Sequence, residues 1–293
     1  MTTRLPKAID AELRHVDTPT GRQAYYVAGT GSPLLLIHSI NAAGSAYEVK
    51  PIFEHYRQSR RVYAVDLPGF GHAERSNRRY DIALYTDAVD AMARLIADET
   101  NCAPDALALS LSSEFLGRAA GRAPDLFQRL VFVTPTGFRA GDANRRGEPM
   151  SSREIGWLSG FLSLAGVGSG AFRLLTRPGT IRYFLKRTWG SPDIDDGLAE
   201  YDVSTTRQPG AQYAPIAFIS GALFSRDVRT IYESLAMPVL LAHGTKGDFQ
   251  DFRGAAWTEQ KENWAQHAFD TGALPHFEKP AEFFAVVDSF FSR

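Results

Sequence analysis

The segment DALALSLSSEFLGRAA, Asp105 to Ala120, contains the sharpest change of pattern in the chain. Its apolar run, Ala106 to Leu109, has the length and composition of a strand buried on both faces. Serines end the run, and a segment with the character of a helix follows at once. The order predicts a tight strand-to-helix turn that presents a serine hydroxyl at the end of a sheet strand.

Similar runs lie on both sides of this segment. Strands that alternate with helices indicate a mostly parallel sheet with helices on both faces, so the expected fold class is α/β. The predicted strands are RQAYYVAG, PLLLIH, RVYAVDLPGFG, RLVFVTPTG and MPVLLAHG, and the predicted helices are TDAVDAMARLIADE and AEFFAVVDSFFS.

One long segment breaks this alternation. Residues 138–234 hold arginine pairs, several Gly and Pro turns and aromatic helical patches, but no buried-strand run. We interpret them as a helical cap inserted into a core made of residues 1–137 and 235–293. Two of its stretches, IGWLSGFLSLAG and APIAFISGALF, would either pack on the core or line a pocket for an apolar ligand.

Composition narrows the possible partners and cofactors. The chain has 293 residues, 32 basic and 33 acidic side chains and a formal net charge of −1. That balance argues against nucleic acid or an anionic membrane as the main partner. No window approaches the length of a membrane span, and no signal peptide is recognisable at the N-terminus. We expect a cytoplasmic protein; a homo-oligomer is possible but not indicated.

Five segments in order resemble the α/β-hydrolase superfamily, from about Gln23 to the end of the chain. AVDLPGFGHAERS is similar to the family's Asp-x-Pro-Gly-x-Gly turn and is the most specific of the five. The others are PLLLIHSINAAGSAYE, GRAPDLFQRLVFVTPTGF, LAMPVLLAHGTKGDF and LPHFEKPAEFFAVVDSFF, which resemble the oxyanion loop, the elements after the nucleophile, the acid strand and the closing region. The resemblance implies an α/β-hydrolase fold with a helical cap.

In this family a serine nucleophile occupies the turn after the central strand. The resemblance places it at Ser112, with the N–H groups of Ser113 and Ile40 as oxyanion donors. Ser110 and Ser113 are the competing positions, as turn or N-cap hydroxyls. Glu114 departs from the family's small residue, although a carboxylate in a first helical turn complements the helix dipole.

For the acid of a triad, Asp248 is the first carboxylate after the fifth strand, and Asp251 is its competitor. Such an acid would fix the tautomer of a histidine and stabilise its imidazolium form. A solvated loop carboxylate is the alternative interpretation.

The histidine departs from the family pattern. In DTGALPHFEKP, Ala273 occupies the position of the family's catalytic histidine, and His276 lies three residues later. Three explanations stay open. His276 could serve as the base, the triad could be missing, or Ala273 could be an introduced replacement.

The remaining histidines carry other expectations. His38 and Asn41 follow the predicted oxyanion strand, and His38 is expected to have a structural role. Together with Glu114 and Ala273 they are the pocket candidates. His243 is expected to be a satisfied core histidine and His267 to lie on a helix surface. No pair has metal-ligand spacing, so neither a metal nor another cofactor is expected.

Two functions follow from these residues. The first is a serine hydrolase that cleaves an ester, thioester or related bond of a mainly apolar small molecule through an acyl-enzyme. The second is an altered or inactive member of the same fold, either a ligand-binding protein or a cofactor-free lyase.

Overall fold

An eight-stranded sheet forms the centre of the protein, in a computed structural model that describes residues 4–142, 146–164 and 166–292. The strand order is β1-β2-β4-β3-β5-β6-β7-β8. β2 runs antiparallel to both of its neighbours, and all other pairs are parallel. The strands are β1 (Glu12–Thr18), β2 (Gly21–Ala28), β3 (Pro33–Ile37), β4 (Arg61–Asp66), β5 (Asp105–Leu109), β6 (Leu130–Val133), β7 (Val239–Gly244) and β8 (Trp264–Phe269).

Helices cover both faces of the sheet, as the crossovers between parallel strands require. In the core they are α1 (Lys50–Tyr56), α2 (Ile82–Thr100) and α3 (Ser112–Arg122), and, at the end of the chain, α10 (Pro275–Glu278) and α11 (Pro280–Phe291). Between β6 and β7 they are α4 (Gly156–Ser163), α5 (Val167–Leu175), α6 (Pro178–Trp189), α7 (Asp196–Thr206), α8 (Tyr213–Ile219) and α9 (Val228–Glu233). The α/β-hydrolase fold is thus confirmed.

The core consists of two apolar layers, one on each face of the sheet. Alternate residues of one strand enter opposite layers: Leu35 and Ile37 of β3 lie in one, and Leu34 and Leu36 in the other. This alternation is the period of a strand whose two faces are both covered. It explains why the parallel strands read as continuous apolar runs in the sequence.

The register of the sheet brings the functional loops to one edge. Ile37 pairs with Ala108, Leu109 with Val133 and Val133 with Ala242, so the loops after these strands start side by side. Because the strands are parallel, all of these loops leave the same edge of the sheet.

A buried carboxylate holds the turn after β4 against the loop after β3. Asp66 accepts hydrogen bonds from the N–H of Ala46 at 2.8 Å and from that of His72 at 2.8 Å. Gly71, which directly precedes His72, has φ +48°, and a Cβ on this glycine would lie 2.0 Å from the Asp66 carboxyl group. The Asp-x-Pro-Gly-x-Gly sequence is therefore explained by close packing inside the turn.

The segment expected to be a helical insertion contains α4 to α9, and its only bridge in the described residues joins Ser152 to Ser225. Whether it is a separate domain stays a prediction. Within the described ranges, no single helix is long and apolar enough to cross a membrane. Gly156–Leu162 and Val167–Leu175 meet that criterion only jointly, as a pair bent by 93°.

Candidate active site

The strand-to-helix turn is centred on Ser110. This residue follows β5 directly, has φ +51° and is separated from α3 by Leu111 alone. A non-glycine residue with positive φ is uncommon and strained, and such strain concentrates at functional sites. The neighbours two positions away, Ala108 and Ser112, are both small, which lets the strand and helix approach closely. Ser110 is also less buried than the serines that follow it.

The nucleophile prediction of Ser112 does not fit this geometry. Ser112 is the first residue of α3, is fully buried, and its Oγ donates a hydrogen bond to the carbonyl oxygen of His38 at 2.6 Å. Its hydroxyl therefore ties two loops together and does not point from the apex of the turn. The sequence placed the turn correctly and its apex two residues too late.

The prediction of Ser113 as an oxyanion donor is likewise two residues too late in the sequence. Its N–H donates to the Ser110 carbonyl oxygen at 3.1 Å, and its Oγ donates to that of Ala108 at 3.2 Å. The residue after the apex is Leu111. In the described part of the chain, no group accepts a hydrogen bond from the N–H of Leu111 or of Ile40. These two free donors belong to the adjacent loops after β5 and β3.

Glu48 fixes the loop that carries Ile40. Its buried carboxylate accepts from the N–H of Ser39 at 2.7 Å, from the Ser39 hydroxyl at 3.1 Å and from Asn41 Nδ2 at 2.7 Å. Asn41 Oδ1 in turn accepts from the N–H of Ala43 at 2.6 Å. Asn41, predicted as a pocket residue, thus braces the loop from within. Sequence reasoning missed Glu48, because an isolated glutamate in a helical turn gives no signal.

His38 has a structural role, as expected. Its Nε2 accepts a hydrogen bond from the N–H of Leu67 at 3.0 Å, so Nδ1 carries the proton that is donated to the Ser39 carbonyl oxygen at 2.6 Å. Both ring nitrogens are occupied and the ring is fully buried. His38 is therefore not available as a base.

His276, predicted as the base, lies in α10 and is fully buried. Its Nε2 donates to the Glu48 carbonyl oxygen at 2.8 Å, and its ring packs against Phe277 and Phe283. Burial lowers its pKa to about 4. The imidazole thus fixes the turn that contains Glu48 through the carbonyl oxygen of that residue. The surroundings of His276 do not support its assignment as the base.

The position predicted for the catalytic histidine has a well-held backbone, and an alanine occupies it. Ala273 donates its N–H to the Thr188 carbonyl oxygen of α6 at 2.8 Å, and its own carbonyl oxygen accepts from the Thr134 hydroxyl at 2.9 Å. Gly272 donates its N–H to Glu278 at 2.8 Å, and burial raises the pKa of that carboxyl to about 7. The backbone is thus held on both sides of a side chain that has no polar group.

The predicted acid does not face an imidazole either. Asp248 is partly exposed and forms an ion pair with Arg187 on α6, and its N–H donates to the carbonyl oxygen of the same arginine at 3.3 Å. Asp251 pairs with Arg253, whose guanidinium lowers the pKa of that carboxyl. Both carboxylates are used in loop and insertion contacts.

Glu114 anchors the first turn of α3 to the insertion. It is fully buried, accepts a hydrogen bond from Thr136 Oγ1 and accepts another from the N–H of Ser225 at 2.8 Å. Burial raises the pKa of its carboxyl. The family motif requires a small residue two positions after the nucleophile. With Ser110 at the apex that residue is Ser112, so Glu114, four positions after the apex, is not restricted to a small side chain.

A second buried carboxyl, on α7, faces the Glu48 turn and was not anticipated. Asp202 has its Oδ1 without a hydrogen-bond partner in the described residues, and burial, followed by the charge of Glu48, raises its pKa well above the ordinary value.

The other histidines are all accounted for, since all seven lie in the described residues. His243 is buried, contacts the Gly244 carbonyl oxygen at 2.8 Å and Gln266 at 3.0 Å, and fits the expectation of a core histidine. His267 lies on β8, so the expected helix surface was wrong. Within the described residues, neither these two nor His15, His55 and His72 bond to a serine of the strand-to-helix turn; their partners lie elsewhere. In the same part of the chain, no cluster of His, Cys, Asp or Glu could hold a metal ion.

A cavity of about 670 Å³ lies between the insertion and the start of α2. Both apolar stretches singled out in the sequence contribute to its wall, together with Tyr80 and Tyr213. Among the described residues, the lining does not include Ser110, Ile40 or Ala273. The cavity is therefore a separate space from the strand-to-helix turn.

Comparison with known proteins agrees with this architecture. The sequence profile of the Alpha/beta hydrolase family matches residues 34–286. A pimeloyl-[acyl-carrier protein] methyl ester esterase of Photobacterium profundum is 32% identical over 120 residues, 41% of this chain and 43% of the relative. That of Nitrosomonas europaea is 26% identical over 268 residues, 89% of this chain and 96% of the relative. The chain thus spans less than half of the first relative's length.

Two solved structures share the fold. A serine hydrolase involved in carbazole degradation superposes with a TM-score of 0.75 at 16% identity, over 96% of this chain and 98% of the other. The epoxide hydrolase CorEH superposes with a TM-score of 0.72 at 21% identity, over 96% and 98%. At these identities the likeness describes the fold alone.

Proposed function

The chain belongs to the alpha/beta hydrolase family, and from this premise we propose that it acts on the carbonyl group of an ester or thioester in a mainly apolar small molecule. One observation carries the proposal. Ser110 occupies a strained apex, and two backbone N–H groups have no acceptor in the described residues: that of Leu111, the next residue, and that of Ile40, in the loop after the neighbouring strand β3. Preorganised donors of this kind stabilise the oxyanion that forms when a nucleophile attacks a carbonyl carbon.

The reaction is attack of Ser110 Oγ on the carbonyl carbon, which gives an acyl-enzyme and releases the alcohol or thiol. The proton of the hydroxyl leaves through water, since no imidazole is bonded to Ser110 in the described residues. Without a histidine base, both attack and the later hydrolysis by water are slow. An oxyanion hole and substrate binding alone still give a residual acceleration of about 10³–10⁴-fold over water in serine proteases.

The curated relatives support an ester as the substrate, because they are named methyl ester esterases. A second candidate function is binding of such a molecule without turnover. Ala273 is the observation that favours it, since the side chain at the base position has no group that accepts a proton.

An aryl ester with a good leaving group distinguishes the two functions. It acylates a serine with little need for a base, whereas hydrolysis of the acyl-enzyme still requires water to be activated. We expect intact-mass spectrometry to detect one acyl group on the natural chain, which persists and is absent from Ser110→Ala. Ser112→Ala is the matched control and should acylate normally.

Two results would contradict acylation at Ser110. One is an adduct that survives Ser110→Ala, and the other is saturable binding of an unreactive ester with no adduct on any variant. The second result would establish the binding function instead.

A further inference from the structure

The insertion exposes an unusual concentration of large apolar side chains. Nine such side chains are exposed in the described residues, and eight of them lie between Met150 and Phe184. Trp157 is 76% exposed, and Phe161 and Leu164 follow it at helical spacing on and just after α4. We call six of them the insertion patch: Trp157, Phe161, Leu164, Leu174, Tyr183 and Phe184. Single exposed apolar residues are normal, but a concentration marks an interaction surface.

The same segment is strongly basic. Residues 155–192 contain no Asp or Glu and five basic side chains, Arg173, Arg177, Arg182, Lys186 and Arg187. Arg182 and Arg187 pair with Asp196 and Asp248. In the described residues, Arg173, Arg177 and Lys186 are exposed and form no ion pair with a carboxylate. The net charge of −1 for the whole chain conceals this local excess.

The positions of the charges bring them next to the apolar side chains. Arg173 directly precedes Leu174 at the end of α5, and Arg177 is the residue before α6. Lys186 lies one helical turn after Tyr183 on α6. The surface therefore combines apolar and aromatic side chains with a basic border, as membrane-surface helices do.

The charge also decides between a bilayer and a second copy of the chain. A symmetric dimer through this face would bring the same patch of both copies together, and hence two basic borders. An anionic lipid surface neutralises them and accepts the apolar side chains at its headgroup boundary.

We propose that the insertion patch binds the surface of an anionic lipid bilayer, with α4 to α6 lying in the interface. This inference is independent of the reaction at Ser110. The net charge of −1 argued against an anionic membrane as the main partner. Binding at a membrane surface, however, depends on the charges that lie within a Debye length of that surface and not on the net charge of the chain.

Sedimentation with vesicles tests the proposal on the full chain. We expect the protein to sediment with vesicles of phosphatidylglycerol and phosphatidylcholine (about 3:7), to bind pure phosphatidylcholine at least about 10-fold more weakly, and to be released by salt. Trp157 should report the contact by a blue shift of its emission, because Trp189 and Trp264 are buried and Trp257 is partly buried. Trp157→Phe should retain binding and lose the shift.

Variants separate the patch from charge in general. R173E/R177E/K186E should weaken binding to the anionic vesicles at least about 30-fold, since each basic residue near the surface adds to the attraction. K7E/R94E/K261E changes the net charge by the same amount, at exposed positions outside the insertion, and should bind like the natural chain. W157S/F161S should weaken binding at least about 10-fold through the lost apolar contact. Circular dichroism verifies that each variant is folded.

Absence of binding to anionic vesicles would overturn the proposal. So would equal loss of binding in the two charge-reversal variants. A chain that is dimeric by light scattering, becomes monomeric in W157S/F161S and ignores vesicles would assign the patch to a second copy instead.

Discussion

Two pairs of loops leave the same edge of the sheet, one pair after β3 and β5 and the other after β7 and β8. They differ in the polar groups that they contribute to the candidate site. The first pair holds a strained serine, two N–H donors that have no acceptor in the described residues, and a carboxylate that fixes the loop after β3. The second pair holds an alanine at the position predicted for the catalytic histidine, and an aspartate that pairs with an arginine. The proposed function therefore assigns oxyanion stabilisation to the first pair of loops, whereas the alanine of the second pair has no group that transfers a proton.

Restoring the missing group is expected to have the largest effect. Ala273→His places an imidazole in a backbone that Thr134 and Thr188 hold on both sides. A positioned general base contributes about 10²–10⁴-fold, so ester hydrolysis should rise by that amount. Steady-state rates on a methyl ester measure the gain. Ala273→Gln, a long side chain without a basic group, is the control and should give none.

Removal of the serine should depend on whether the base is present. Groups that act as a unit are not additive, so Ser110→Ala should abolish the whole gain in the A273H background and change the slow natural rate far less. Ser112→Ala removes one buried hydrogen bond and should cost less than about 10-fold in either background. A full loss with Ser112→Ala and none with Ser110→Ala would reverse the assignment of the apex.

The carboxylate that fixes the oxyanion loop is the next contribution to test. Glu48→Ala leaves the N–H of Ser39 without its acceptor, at a cost of about 1–3 kcal/mol, and leaves the Asn41 amide with the Ser39 hydroxyl as its remaining acceptor. We expect a clear fall in Tm by calorimetry and, with A273H present, a fall in kcat at nearly constant KM. Glu48→Gln keeps an acceptor and should recover part of both; an unchanged kcat in Glu48→Ala would remove this residue from the support of the oxyanion hole.

The smallest effect concerns the base-position loop. The folded-state pKa of Glu278, about 7, lies above its ordinary value of 4.5, so the folded state holds the proton more tightly than the unfolded state. The stabilisation is complete below about pH 4.5 and is lost as the pH rises through about 7. Because Glu278 is only half buried, the change in Tm between about pH 5 and 8 should not exceed about 2 °C. Glu278→Gln should remove it, and an undiminished slope would assign the slope to other groups.

The fold could be predicted because its parallel strands are buried on both faces. PLLLI and DALAL read as continuous apolar runs for that reason, and both are strands. The edge strands β1 and β8 escaped prediction because their exposure alternates. WAQHAF therefore looked like a helix surface at His267.

The candidate site could be predicted only to the level of the turn. Ser110, Ser112 and Ser113 lie so close together that the apex stays undetermined, and a one-dimensional motif cannot distinguish a hydroxyl that ties two loops from one that is presented. The roles of Glu48 and Asp202 depend on contacts between distant parts of the chain. That Ala273 occupies the position of the catalytic histidine stays a prediction, which rests on the nearby Gly272 and Pro275.

The central claim is that Ser110 is the apex nucleophile of a site whose base position is residue 273. Labelling A273H with a fluorophosphonate and locating the phosphonyl group by peptide mass spectrometry tests it most directly. The account predicts rapid labelling on Ser110, with much slower labelling of the natural chain. A label on Ser112, or no faster labelling in A273H, would contradict it.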